Sequence, residues 1–258
     1  MTAAARAVSP MLVRLAEERA TGVLVRDHGV LYLADGEVVH AESPAAPGLD
    51  VLLTAGGHLA PEGWEEAVAR AGARREVARF LVESGRVTDG AMEICHLGAL
   101  HDAAFFALSP GSGPTRFRYG VAHWIGRVRP VPAAAVVREA RRRRGLLDSV
   151  WPHPEVDTAP LRRRPRGHGA CVATRRQRTL LDLADGVRTP SAIARAAGRP
   201  AFNTLVEVRR MAAAGLVETP ASAEAPAPAP LPDWVAAFSA DPDIALLRRL
   251  RDALEASL

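Results

Sequence analysis

The stretch from Gly22 to Ser43, "GVLVRDHGVLYLADGEVVHAES", leaves the chain few folding options. Val23 and Val25 recur at alternate positions, Asp27-His28-Gly29 interrupts them, "VLYL" follows, Asp35-Gly36 interrupts again, and "EVVHA" closes the run. A period of two sends successive side chains to opposite faces of a sheet. Asp-Gly suits a two-residue hairpin turn, whose central residues both take positive φ. The pattern predicts three short strands in an antiparallel meander. Leu12, Leu15, Ala16 and Arg19, at helical spacing, predict a helix in front of it that ends at "ATG".

Behind the meander the period changes. "VLLTAGG" reads as a short helix, and "GWEEAVARAGARREVARFLVESG" as helical segments ended by Gly72 and Gly85. Met92, Leu97, Leu100 and Phe105 then fall in helical register, and "TRFRYG" alternates as a closing strand. The expected class is α+β: a mixed domain over residues 1–130 with a small antiparallel sheet and helices, followed by a mainly helical winged-helix-like domain.

The opening segment "LVRLAEERATGVLVRDHGVLYLADGEVVHAESPAAPGLDVLL" resembles the PATAN family, named for the amino-terminal domain of PatA-type response regulators. The resemblance is carried by a leading helix, Thr21-Gly22, the "LYL" strand, Asp35-Gly36, Val39-His40-Ala41, Gly48 and the Leu52-Leu53 pair. "LVESGRVTDGAMEICHLGALHDAAFFAL" and "TRFRYG" are similar to that family's helical middle and closing strand, so the likeness covers roughly residues 10 to 120. It implies an adaptor or interaction module of the kind found beside signalling and DNA-binding domains, with no catalytic residue to transfer. The helical middle, about residues 54 to 108, is longer here than in the shortest members.

Residues 131–168 read as an Arg/Pro-rich helix and an irregular linker. A second domain is expected over 169–219. "TRRQRTLLDLAD" forms its first helix with Leu180, Leu181 and Ala184 inward, Thr189 caps a second that starts at Pro190 and ends at Gly198, and a third runs from beyond Pro200 to Gly215. Residues 220–232 form a Pro/Ala linker, and 233–258 an amphipathic helix with Ile244, Leu247, Leu250 and Leu254 on one face, a candidate homodimer surface.

Chemistry is constrained mostly by what is missing. The chain has no lysine, so all 33 basic residues are arginine and a P-loop is excluded; no G-x-S-x-G, H-E-x-x-H or C-x-x-C pattern occurs. The arginine, alanine and proline usage suggests a GC-rich bacterial genome. His96 and His101 diverge by about 140° on a helix, a poor arrangement for one metal. No enzyme, metal or cofactor is expected, although a pocket built from His40, His96 and His101 stands as a minor third reading. Two cysteines, Cys95 and Cys171, fall in different domains and suggest ordinary thiols. No apolar run nears the roughly 18–20 residues that span a bilayer, and no secretion leader is visible, so the expected compartment is the cytoplasm.

The net charge of +4 is unevenly distributed: residues 138–178 hold 12 arginines against 4 acids. Such a block attracts polyanions. In the third helix of the second domain, Phe202, Leu205, Val208 and Met211 or Ala212 should face the core, leaving Asn203, Thr204, Glu207 and Arg210 outside with Arg199 just ahead. Asn pairs with adenine, Arg with guanine, and Thr with a phosphate or thymine methyl, and recognition helices use their amino-terminal turns. Arg175, Arg176 and Arg178 would grip phosphates. "LLDLADGVRTPSAIARAAGRPAFNTLVEVRRMAAAGLVE" resembles winged-helix regulators, which implies a DNA-binding transcriptional regulator with a protein-binding or signal-receiving front domain. Glu207, which would repel phosphate, and the missing or very short wing favour the alternative, a signalling adaptor that binds proteins only, in a small-GTPase or response-regulator pathway.

Overall fold

Asp35 and Gly36 both take positive φ, 52° and 83°, in the turn between the second and third strands. That is the backbone an Asp-Gly hairpin adopts. A Cβ at Gly36 would sit 2.5 Å from the Ala16 carbonyl oxygen, so glycine is also required by the helix packed behind the turn. In the computed structural model, residues 10–111, 113–164 and 174–219 are described. The Pro/Ala linker, the tail helix and Cys171 lie outside them.

Helix α1 (Pro10–Glu17) precedes the meander β1 (Gly22–Arg26), β2 (Gly29–Ala34) and β3 (Glu37–Glu42). After α2 (Leu49–Ala55), α3 (Pro61–Ala71), α4 (Val77–Glu83) and α5 (Asp89–Ala107), strand β4 (Arg116–Tyr119) returns beside β1. Strand β5 (Val131–Pro132) adds to β3, giving an antiparallel sheet in the order β4-β1-β2-β3-β5. The α+β class is therefore as expected.

Helix α5 organises the interior. Thr88 caps it through the Ala91 N–H, and it buries residues on every side, from Met92 to Ala107. A helix apolar all round must be enclosed. One flank packs on the sheet with Leu24, Leu31, Leu33 and α1; another packs with Leu53, Val77 and Leu81 of the small helices.

Helix α6 (Ala133–Val150) continues through Gly145. The expected linker after it is also folded: a 3-10 turn (Pro154–Asp157) and β6 (Arg162–Arg163) bury Val156 and Leu161 against Leu180, Ile193 and Met211. Then come α7 (Arg175–Leu183), α8 (Pro190–Ala196), α9 (Ala201–Ala213) and β7 (Val217–Glu218). Thr174 and Gln177 form a reciprocal capping box on α7, and Thr189 caps α8 ahead of Pro190. The wing is very short: β7 pairs with β6, a partner from the segment read as linker.

This three-helix unit is not set apart. The described residues form one compact unit, and Ala194 and Ala201 belong to the same core as the sheet. Arg195 donates to the Pro44 carbonyl at 2.8 Å, and a Cβ on Gly198 would overlap Ala55. Among the described residues no helix is long and apolar enough to cross a membrane.

Candidate functional site

The sequence pointed to the outer face of α9, and the structure divides that face. Asn203 and Arg210 are exposed and Glu207 is half-buried, but Thr204 is 2% exposed and its hydroxyl bonds the Pro200 carbonyl at 3.1 Å. Thr204 is thereby corrected from an outer to an inner residue. The reason is a second packing face: Phe202, Leu205 and Val206 sit on Phe105 of α5 and Leu147 of α6, in addition to the Val208 and Met211 side that packs within the three-helix unit. A helix gripped from two directions keeps only a narrow solvent stripe.

The amino-terminal turn of α9 is also occupied. Asp102 of α5 accepts from the Phe202 N–H at 3.1 Å, as a carboxylate does at the positive end of a helix dipole. Its other oxygen takes Arg143 at 2.6 Å, and that guanidinium lies 4.5 Å over the Phe202 ring. Burial raises the Asp102 carboxyl above its usual range, while Arg143 and the helix N–H groups pull it back. Farther along, Arg209 is 3% exposed and chelates Asp157 at 2.6 and 2.9 Å, with the Trp151 carbonyl at 2.6 Å.

What remains open is a cleft of about 600 Å³ between α6, α7 and α9, which Arg142, Arg176, Arg199, Asn203 and Arg210 line. Arg142 is held by Glu139, and Arg210 by Glu207 at 2.7 Å. Arg175 and Arg178 are exposed on α7 without lining it. Of the arginine run 141–144, Arg143 and Arg144 are turned inward, the latter to the Phe105 carbonyl at 3.1 Å. They are structural rather than a solvated face.

A second site was foreseen only in part, through His40 and His96. The pairing of β2 with β3 shifts between Tyr32/His40 and Leu33/Val38, leaving Val39 without a partner. The carbonyl that this bulge frees accepts His96 Nε2 from α5 at 2.9 Å. His40 stacks between His96 and His123, with ring centroids 5.6 and 4.1 Å away. His123, from the loop after β4, contacts Tyr32 edge-on at 4.7 Å and Trp124 at 4.9 Å. His101, expected to join His40 and His96, lies instead beside Arg143 and Glu139. His123 escaped notice because 83 residues of sequence separate it from His40 and no local spacing connects the two.

Burial, then the neighbouring His123 and His96, holds His40 neutral, well below the usual imidazole range. Burial pushes His96 down to about 4 against the opposing pull of its Val39 bond. The hydrogen bond from His123 lowers Glu42. Nδ1 of His40 is enclosed without a partner, a cost of about 1–3 kcal/mol for a buried polar atom.

His40, Glu42 and His123 bring candidate metal-ligand atoms within 4.8 Å of one another. The ring chemistry argues against a metal. Nδ1 of His123 accepts the Ile125 N–H at 3.2 Å, so Nε2 carries the proton and donates it to Glu42 at 3.0 Å. A ligating imidazole needs a lone pair there and offers its other N–H to an acceptor. Two rings stacked face to face also aim their in-plane lone pairs past one another rather than at one ion about 2 Å away. The cluster is a hydrogen-bonded ring stack along a cleft of about 650 Å³.

No family model, curated protein or solved structure matches the chain.

Proposed function

We propose that the chain is a non-enzymatic regulatory adaptor of the bacterial cytoplasm, PATAN-like in its first part, which receives an acidic protein partner in the cleft between α6, α7 and α9. The observation that carries this reading is the seating of the α9 amino terminus on Asp102. A recognition helix enters the major groove by that turn. Here α5 and α6 pack against its Phe202 side, and the exposed stripe of α9 forms the floor of a cleft instead of a protruding edge. A carboxylate-bearing peptide reaches such a floor; a duplex about 20 Å wide does not follow it in.

The lining of the cleft also supports a second reading, DNA binding, because Arg142, Arg176, Arg199 and Arg210 converge there with Asn203. One titration separates the two. The full chain is mixed with a random duplex pool and with a labelled oligoglutamate peptide across a salt series. The adaptor reading expects saturable peptide binding at about 150 mM salt that Arg176→Ala/Arg199→Ala abolishes, with no enriched duplex. Enrichment of particular sequences, lost in Arg199→Ala/Asn203→Ala, would replace it with a transcriptional regulator; unselective, steeply salt-dependent retention would reduce the arginines to electrostatics.

A further inference from the structure

The cleft beside His40 is large enough for a small molecule, since ligand sites span about 300–1,000 Å³. Its walls are mostly apolar: Val30, Leu49, Ala99, Ala103 and Ile125. Trp64 and Trp124 stand edge to face, centroids 5.8 Å apart, and Trp124 keeps 37% of its surface exposed. Large aromatic surface left in water at a concave site is what a ligand would cover.

The polar complement has one sign. Asp27, Glu42 and Asp50 line the cleft against a single guanidinium, that of Arg26, which spends Nη1 on the Ala107 carbonyl at 2.9 Å. Asp27 already accepts the Gly113 N–H, whereas Glu42 is about half exposed and is oriented by His123 on Oε1 and by the Tyr32 hydroxyl, 3.4 Å from Oε2. These bonds make Glu42 an oriented acceptor. The Ile125 N–H on Nδ1 fixes the ring so that Nε2 points at Glu42. The stack of His40 on His123 backs the pair from within.

We propose that this cleft binds a small organic ammonium ion with an apolar or aromatic body. The ammonium group pairs with Glu42, and the body lies against Trp64 and Trp124, whose ring faces attract cations as well as hydrocarbon. A carboxylate ligand meets three like charges, and a neutral one gains nothing from Glu42.

The test uses the full chain and three compounds of one skeleton: phenethylamine, phenethyl alcohol and phenylacetate, with zinc chloride as a fourth arm. Tryptophan fluorescence and calorimetry report binding. The amine should bind saturably, the alcohol at least about tenfold more weakly and phenylacetate not at all. Glu42→Gln should weaken the amine about tenfold and leave the alcohol unchanged, with an unaltered melting curve showing that the fold is intact. Trp64→Phe/Trp124→Phe should remove the fluorescence response while heat is still released. Equal binding of amine and alcohol would overturn the ammonium assignment, as would no amine binding up to about 10 mM, the range expected for so small a ligand. Tight zinc binding without any amine binding would overturn it in favour of a metal centre.

Discussion

Asp102 and Glu139 each hold an arginine, yet the two contacts differ in weight. Arg142 on Glu139 is an exposed helical pair, screened by solvent and of little consequence for stability. Arg143 on Asp102 is enclosed, and Asp102 also holds the start of α9. Asp102→Ala should therefore cost about 3 kcal/mol, because it removes the acceptor of the Phe202 N–H and one of the two carboxylates on the Arg143 guanidinium, Glu139 being the other, while Arg142→Ala should be nearly silent in a urea titration. His96 carries a pH prediction. Its folded value, about 4, lies below the unfolded value near 6.5, so acid favours the unfolded chain. Its contribution is complete above about pH 6.5 and declines as pH falls towards 4. The melting temperature should fall across that window. His96→Gln, which keeps a donor for the Val39 carbonyl, should flatten the slope; an unchanged slope would move the effect to other groups.

Among the elements, the Thr189 cap ahead of Pro190 and the Asp35-Gly36 turn were read correctly from short spacings. The capping box of Thr174 and Gln177 is just as local but was not singled out. Thr174→Ala removes the Gln177 N–H acceptor and breaks the box, which should lower stability by about 1 kcal/mol in chemical denaturation. Helix α9 was half legible. Its inward residues Phe202, Leu205, Val208 and Met211 are buried as expected, but the assignment of Thr204 to the outside presumed one packing face. Arg209 was passed over for the same reason, although its carboxylate partner Asp157 lies 52 residues earlier. A helix wheel ranks faces by polarity; it does not say how many neighbours the helix will have.

At the scale of the whole molecule, the segments 1–130 and 169–219, distinguished by composition, are joined through Ala194, Ala201, Phe202, Leu205 and Val206. A peptide of residues 174–219 would expose this apolar side and lose Val156 and Leu161 from its own core. It should show weak helicity and no cooperative thermal transition by circular dichroism, whereas residues 10–219 should melt in one step. A sharp transition in the short peptide would show that the three-helix unit is autonomous. The joined arrangement also bears on the proposed function, since α5 and α6 hold the Phe202 side of the first turn of α9 and leave Asn203 in the cleft.

By itself the sequence determined the meander, its two turns, the Thr189 cap of α8 and the inward stripes of α7 and α9. These depend on backbone preferences and on residues a few positions apart, where chain connectivity guarantees that partners meet. Only the tertiary structure decided that Asp102 would seat α9, that Val39 would give its carbonyl to His96, and that His123 would stack on His40 beside Glu42. Those contacts join positions 57 to 100 residues apart, and they form because burying α5 from all sides draws the sheet, α6 and α9 around it.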